Sequence, residues 1–186
     1  TWSFDPSVDA YDALAKDQTQ EITVSYSVTD DAGATSQNSF GITLTGTNDA
    51  PVAATTALDL AAGTEDIAYP ITAEQLLANV SDVDNNDSLS VKNLRLSGDS
   101  ASNGELTGDS ATGWSFKPNQ DFNGTVELAY EVEDSNGAAV LNDANEAASF
   151  TASIDFAAVN DDPVRTDSTP LSIRLVQPDS ADADAQ

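Results

Sequence analysis

Two stretches of this chain alternate apolar and polar residues with a period of two. Ile22, Val24, Tyr26 and Val28 share one face, with Thr23, Ser25, Ser27 and Thr29 on the other. Val126, Leu128, Tyr130 and Val132 repeat the pattern against Glu127, Ala129, Glu131 and Glu133, and Ile42 with Leu44 and Ile154 with Phe156 supply a closing strand after each. One buried and one wet face at this period predicts antiparallel strands. Asp31-Ala32-Gly33 and Ser135-Asn136-Gly137 offer the positive-φ position that a hairpin needs. Gly98, Gly104, Gly108 and Gly113 punctuate the middle and leave short strands over 90–96 and 113–117. The helix-like stretch is 72–78, with Thr72 as N-cap and with Leu76 and Leu77 plugging one end of the fold. Trp114 and Phe116, and likewise Trp2 and Phe4, alternate into core strands. Tyr26 and Tyr130 read as packing residues with hydroxyls satisfied at a strand corner. A further strand is predicted over 171–176, ahead of the polar run DSADADAQ.

The pattern occurs twice. Trp2, Phe4 and Pro6 return as Trp114, Phe116 and Pro118, and Asn48-Asp49-Ala50-Pro51-Val52 returns at the same offset as Asn160-Asp161-Asp162-Pro163-Val164. Tyr26, Val28, Asp30 and Gly33 match Tyr130, Val132, Asp134 and Gly137 at a shorter offset, because the first copy has a longer loop after its proline. A period of about a hundred residues is one small β-domain per repeat, as beads on a string. The predicted architecture is therefore all-β: residues 1–50 form the C-terminal part of a preceding β-sandwich repeat, 51–164 a complete sandwich, and 165–186 the start of a next repeat or a linker. On this reading 1–50 would by themselves expose a sheet edge and half a core, to be completed by the tail or by strand exchange with another molecule.

Charge narrows the function. The chain has 32 Asp and Glu against 6 Lys and Arg, a formal net charge of −26, and no His or Cys. So acidic a surface disfavours nucleic acid and anionic lipid as partners, because phosphate binding needs clustered Lys and Arg. Triad and zinc mechanisms that need His are excluded. Without Cys no disulfide can staple a small domain. So many like charges repel, and a compact state gains from bound cations or salt.

The run AGTED (62–66), then LLANVSDVDNNDSLSV, GWSFKPNQDFNGTVELAYEVEDSNG and VNDDPV together resemble the cadherin-like tandem repeat of large bacterial RTX-type adhesins. The opening segment, ending SVTDDAGATSQNSFGITLTGTNDAPV, is similar to the C-terminal half of a VCBS-type repeat. Two departures stand out: Asn85 where the family has Gly after DVD, and Asp162 where the first linker has Ala50. The resemblance implies an immunoglobulin- or cadherin-like Greek-key sandwich in tandem, calcium binding, type I secretion, and a bacterial cell-surface location with a role in adhesion and biofilm formation.

Three clusters supply the oxygens that the hard cation Ca²⁺ takes, six to eight at a time. The first is Asp82, Asp84 and Asp87. It begins like an EF-hand loop, but Asp87 stands where that loop needs Gly and Asn93 where it needs Glu. The second is Glu65 and Asp66. The third is the linker pair Asn48-Asp49 and its copy Asn160-Asp161, with Asp30 and Asp134 at strand ends ahead of their Gly turns. Each also reads as an ordinary solvated turn with Asx-type hydrogen bonds. The cadherin-like arrangement groups Asn48 and Asp49 with Asp82, Asp84 and Asp134 at an upper joint, and Glu65 with Asn160 and Asp161 at a lower one. Bound ions would stiffen each joint, while Pro51 and Pro163 limit the backbone.

The resulting expectation is a calcium-stabilised extender with no concave pocket, whose partners are neighbouring repeats. The alternative is a calcium-dependent module for a glycan or peptide, for which the insertion 140–149 is the candidate loop. An acid pair of the glycosidase kind has no support in the order of the segments, and an enzyme is not expected.

Overall fold

The computed structural model describes residues 2–161. The strand expected over 171–176 and the residues Asp162 and Pro163 lie outside them. β1 (Thr19–Thr29) and β2 (Thr35–Thr45) form a long antiparallel hairpin, Thr19 opposite Thr45 and Thr29 opposite Thr35. Its turn closes where expected. The Asp30 carboxylate accepts the N–H groups of Ala32 and Ala34 at 2.9 and 2.8 Å, and Gly33 takes φ +87°.

After it come β3 (Val52–Ala53), β4 (Ala57–Asp59), β5 (Gly63–Thr64), β6 (Tyr69–Ile71), α1 (Ala73–Leu76), β7 (Val80–Ser81), β8 (Ser90–Leu96), a 3-10 turn (Gly98–Ser102), β9 (Gly104–Asp109), β10 (Gly113–Pro118), β11 (Gly124–Glu133) and β12 (Phe150–Ala157). They build a two-sheet sandwich. One sheet runs β4-β12-β11-β8, with β5 also on β12; the other runs β6-β10-β9; β3 and β7 pair at the side. β4 and β5 lie parallel to β12, while the β8–β11, β11–β12, β6–β10 and β9–β10 pairs are antiparallel. The chain crosses between sheets from β5 to β6, β6 to β8, β8 to β9 and β10 to β11, the connectivity of a Greek key.

The core follows the period-two pattern. Val126, Leu128, Tyr130 and Val132 from β11 meet Phe150, Ile154 and Phe156 from β12 and Trp114 and Phe116 from β10, all buried. Phe116 lies 5.4 Å from the Phe156 ring, and Tyr130 stacks on Phe150 at 5.2 Å. Thr72 caps α1 through a reciprocal box with Gln75. Leu76 fills the core, and its carbonyl accepts the Tyr130 hydroxyl at 2.9 Å.

The first copy of the pattern behaves differently. Residues 2–18 form turns rather than a strand, Trp2 is 61 % exposed, and it packs on Phe40 at 5.1 Å. Phe4 packs on Tyr11, and Tyr26 is also exposed. The same motif buries Trp114 and exposes Trp2 because, among the described residues, no second sheet covers the hairpin's apolar face. Leu14 is the one buried hydrophobic residue of this segment, tucked where the 8–18 loop folds back on Gly46.

Candidate metal centre

β11 begins beside one group of carboxylates and ends in another, roughly 30 Å apart at 3.3 Å per residue. The group at its end joins the linker after β2, the 82–87 loop and the 134–138 turn. Asn48 Nδ2 donates to Asp134 Oδ2 at 2.8 Å, the Asp49 N–H to Asp84 Oδ2 at 2.9 Å, and the Asp84 N–H to Asp82 Oδ1 at 2.9 Å. The sequence-derived set Asn48, Asp49, Asp82, Asp84 and Asp134 is thus brought together. Asp82, Asp84 and Asp87 each present a carboxylate oxygen within 4.8 Å of the others.

Asp84 and Asp134 are 5 % and 2 % exposed. Burying carboxylates so deeply is costly unless their charge and lone pairs are matched. Asp134 is matched: Oδ1 accepts the N–H groups of Asn136 and Ala138, both at 2.8 Å, and Oδ2 accepts from Asn48. The others are not. Asn48 Oδ1, Asp82 Oδ2 and Asp84 Oδ1 are buried acceptors with no donor. Among the described residues the ion pair is Lys92–Glu133, at 2.6 Å, so no Lys or Arg answers these oxygens. Orphaned oxygens on two carboxylates and an amide fit a hard divalent cation such as Ca²⁺.

Asp87 is employed differently. It accepts from the Ser135 N–H at 3.1 Å, the Ser135 hydroxyl, Asn136 Nδ2 at 3.3 Å and the Ser88 N–H, and these hydrogen bonds, the Ser135 hydroxyl foremost, hold its carboxyl below the ordinary range. It latches the 134–138 turn to the 82–87 loop. Desolvation, then the charges of Asp84, Asp12 and Asp82, push the Asp49 carboxyl up.

Asp12 was not legible from its local sequence. The 8–18 loop brings it in, and the same loop accepts the Asn85 N–H on the Ala13 carbonyl at 3.1 Å. The other group likewise gains a carboxylate from the loop after its proline, Asp121, three residues beyond Pro118, whereas Asp12 stands six beyond Pro6. The repeat places Asp9, not Asp12, at the position of Asp121, so the repeated Trp-x-Phe-x-Pro motif carries no signal for Asp12.

The group at the start of β11 gathers Asp66, Asp121 and Asp161, all exposed, with carboxylate oxygens within 4.8 Å of one another. The Asp121 N–H donates to Asp66 Oδ1 at 3.1 Å. Glu65 is buried, accepting the Val159 N–H on one oxygen and Asn123 Nδ2, at 3.3 Å, on the other. Loss of water, then Asp121, Glu65 and Asp66, push the Asp161 carboxyl up. Asn160 repeats the linker geometry of Asn48: its Nδ2 donates to the next residue's carbonyl at 3.3 Å, as Asn48 does at 2.9 Å. Glu65, Asp66, Asn160 and Asp161 therefore converge. Asp30 joins neither group and closes only its own turn.

The insertion 140–149 forms a small turn through the Leu141–Ala147 bridge, with Asn142 Oδ1 accepting from Ala144 and Glu146. Contrary to the expectation of no concavity, it borders a cleft of about 660 Å³ with residues 50–56. Asp143 is the single carboxylate in the lining of that cleft, and no aromatic ring lines it.

A family model described as a cadherin-like domain matches residues 47–153. No curated protein matches the chain. Among solved structures, human mucin-like protocadherin EC1-2 is similar at TM-score 0.46 and 14 % identity, over 73 % of this chain and 68 % of that one. The human desmocollin-1 ectodomain is similar at TM-score 0.36 and 13 % identity, over 77 % and 28 %. An endo-fucoidan hydrolase from glycoside hydrolase family 107 is similar at TM-score 0.38 and 16 % identity, over 80 % of this chain. The chain spans 20 % of the length of that hydrolase.

Proposed function

The chain belongs to the cadherin-like domain family, and from that premise we propose that it is a calcium-stabilised extender of a large secreted bacterial surface adhesin. In this reading residues 1–50 end one repeat, 51–164 form the next, and the parent is an RTX-type protein exported by type I secretion that spaces an adhesive tip in cell adhesion and biofilm formation. No helix among the described residues is long and apolar enough to cross a membrane.

The observation that carries the proposal is the set of orphaned buried oxygens on Asn48, Asp82 and Asp84. They lie where the linker meets the sandwich, so whatever satisfies them ties the two together. Asn48, Asp49, Asp82 and Asp84 would hold Ca²⁺, with Asp12 and Asp134 beside them and Asp87 fixing the loop. Bound there, Ca²⁺ supplies positive charge that offsets the crowded carboxylates and crosslinks the segments carrying them. Glu65, Asp66, Asp121, Asn160 and Asp161 would serve the corresponding lower joint.

The test is thermal unfolding in Ca²⁺, in Mg²⁺ and after metal removal. A ligand at a hundredfold excess over its Kd stabilises by about 2.7 kcal/mol. At roughly 2–4 °C per kcal/mol for a chain of this size, the expected rise in Tm is roughly 5–10 °C per ion, specific to Ca²⁺. A rise no greater than matched ionic strength produces would remove the mechanism. The cleft beside 140–149 favours a second reading, a glycan- or peptide-binding module. With Asp143 as the one carboxylate in its lining, a calcium-bridged ligand is the weaker choice.

A further inference from the structure

The chain contains three Asn-Gly steps, Asn103-Gly104, Asn123-Gly124 and Asn136-Gly137. In such a step the glycine nitrogen can attack the asparagine side-chain carbonyl carbon, because no Cβ hinders its approach. Two conditions govern the rate: the asparagine must reach solvent, and the glycine must be free to swing toward it. Asn103 is half-buried while Asn123 and Asn136 are exposed, and the three glycines differ in how tightly they are held.

Gly104 is clamped. A Cβ there would stand 2.4 Å from the Lys117 carbonyl oxygen and 2.5 Å from the Phe116 ring, and Asn103 is half-buried, its carbonyl accepting the Asn119 N–H. Gly124 is the first residue of β11, registered opposite Phe156. Gly137 sits in an exposed turn at φ +89°, with nothing within 4 Å of its Cβ position. Its N–H makes only a 3.3 Å bond to the Asp134 carbonyl, and Asn136 is exposed.

We propose that Asn136-Gly137 is a self-modification site, at which the exposed asparagine deamidates and adds a carboxylate to the Asp82–Asp84–Asp87–Asp134 group. The Gly137 nitrogen bonds to Asn136 Cγ, the Cγ–Nδ2 bond breaks, and the displaced nitrogen leaves as ammonia carrying the Gly137 proton. Solvent water then opens the cyclic imide at either carbonyl, giving aspartate or isoaspartate. The change reverses a contact. Asn136 Nδ2 now donates to Asp87 Oδ2 at 3.3 Å; afterwards a carboxylate faces a carboxylate. The turn that Asp87 latches loses a donor and gains a like charge, so the group demands a cation more strongly. This last consequence rests on the calcium reading above; the modification itself does not.

The experiment is to age the folded, intact chain at mildly alkaline pH, with and without Ca²⁺, and to follow each Asn-Gly peptide by mass spectrometry and isoaspartate methylation. The expected result is conversion at position 136 several-fold faster than at 103 in the same molecules, abolished in Asn136→Gln. Equal rates at 136 and 103 would overturn the proposal whatever Ca²⁺ does to Tm. In a separate arm, Asn136→Asp is expected to melt lower than wild type without metal and to gain more from Ca²⁺. An unaltered Ca²⁺ response would overturn the coupling between position 136 and the carboxylate group.

Discussion

Asp84 concentrates the chemistry of the upper group. One of its oxygens accepts the Asp49 N–H, the other has no donor, and the side chain is almost wholly buried. Replacement by Asn removes the charge while keeping the shape, and the oxygen that accepts from Asp49 can remain. Asp84→Asn is therefore expected to leave Tm without metal unchanged or higher, since a repulsion with Asp82 is gone. The Ca²⁺-dependent rise should shrink, with affinity down at least tenfold, about 1.4 kcal/mol. Calorimetric titration together with melting separates this from a folding defect, which would lower both curves. That carboxylates gather near residue 84 could be read from DVDNND; that Asp87 is spent on the 134–138 turn could not, because its partners are far along the chain.

At the scale of elements, the hairpin reaches the upper group through one close approach. Gly46, at the end of β2, has no room for a side chain: a Cβ would fall 2.0 Å from the Leu14 carbonyl oxygen. The same contact is tied by the Gly46 N–H to the Gln18 carbonyl at 2.8 Å and the Asp17 N–H to the Gly46 carbonyl at 3.1 Å. Through it the 8–18 loop presents Asp12 and the Ala13 carbonyl to the 82–87 loop. Gly46→Ala is expected to push that loop away at an overpacking cost of about 1–3 kcal/mol. Because the sandwich core is untouched, hydrogen exchange should rise at Asn85 and across 8–18 but not in β11 or β12. Unchanged exchange at Asn85 would show that the loop contact does not hold the joint.

For the whole molecule the governing quantity is a net charge of −26. Asp49 and Asp161 are pushed above the ordinary carboxylate pKa, so the folded state favours their protonated forms. The stability tied to them is complete below about pH 4 and is lost as pH rises through their raised values. Asp5, Asp87 and Asp109 are held low by hydrogen bonds to Ser7, Ser135 and Thr112. Their contribution is present above about pH 4 and is lost as pH falls through their depressed values. Metal-stripped protein should therefore melt highest in the window just above pH 4, a melting-point series that Ca²⁺ flattens on its upper side. A Tm that rises steadily to neutral pH without metal would contradict this balance.

The sequence by itself determined the β class, the hairpin turns at Gly33 and Gly137, the β8 and β10 strands, the Thr72 cap and the buried face of β11. These depend on period, turn residues and local hydrogen bonds, all of which neighbours in the chain specify. It also brought the joint residues into two groups, because linker and loop motifs occur in a recognisable order. Only the tertiary structure decided that Trp114 is buried and Trp2 exposed from the same motif, since burial requires a facing sheet. Only it placed Asp12 and Asp121 in the carboxylate groups and left Asp30 outside them. A carboxylate's partners depend on which loops share an end of the sandwich, and that proximity belongs to the folded chain rather than to any stretch of it.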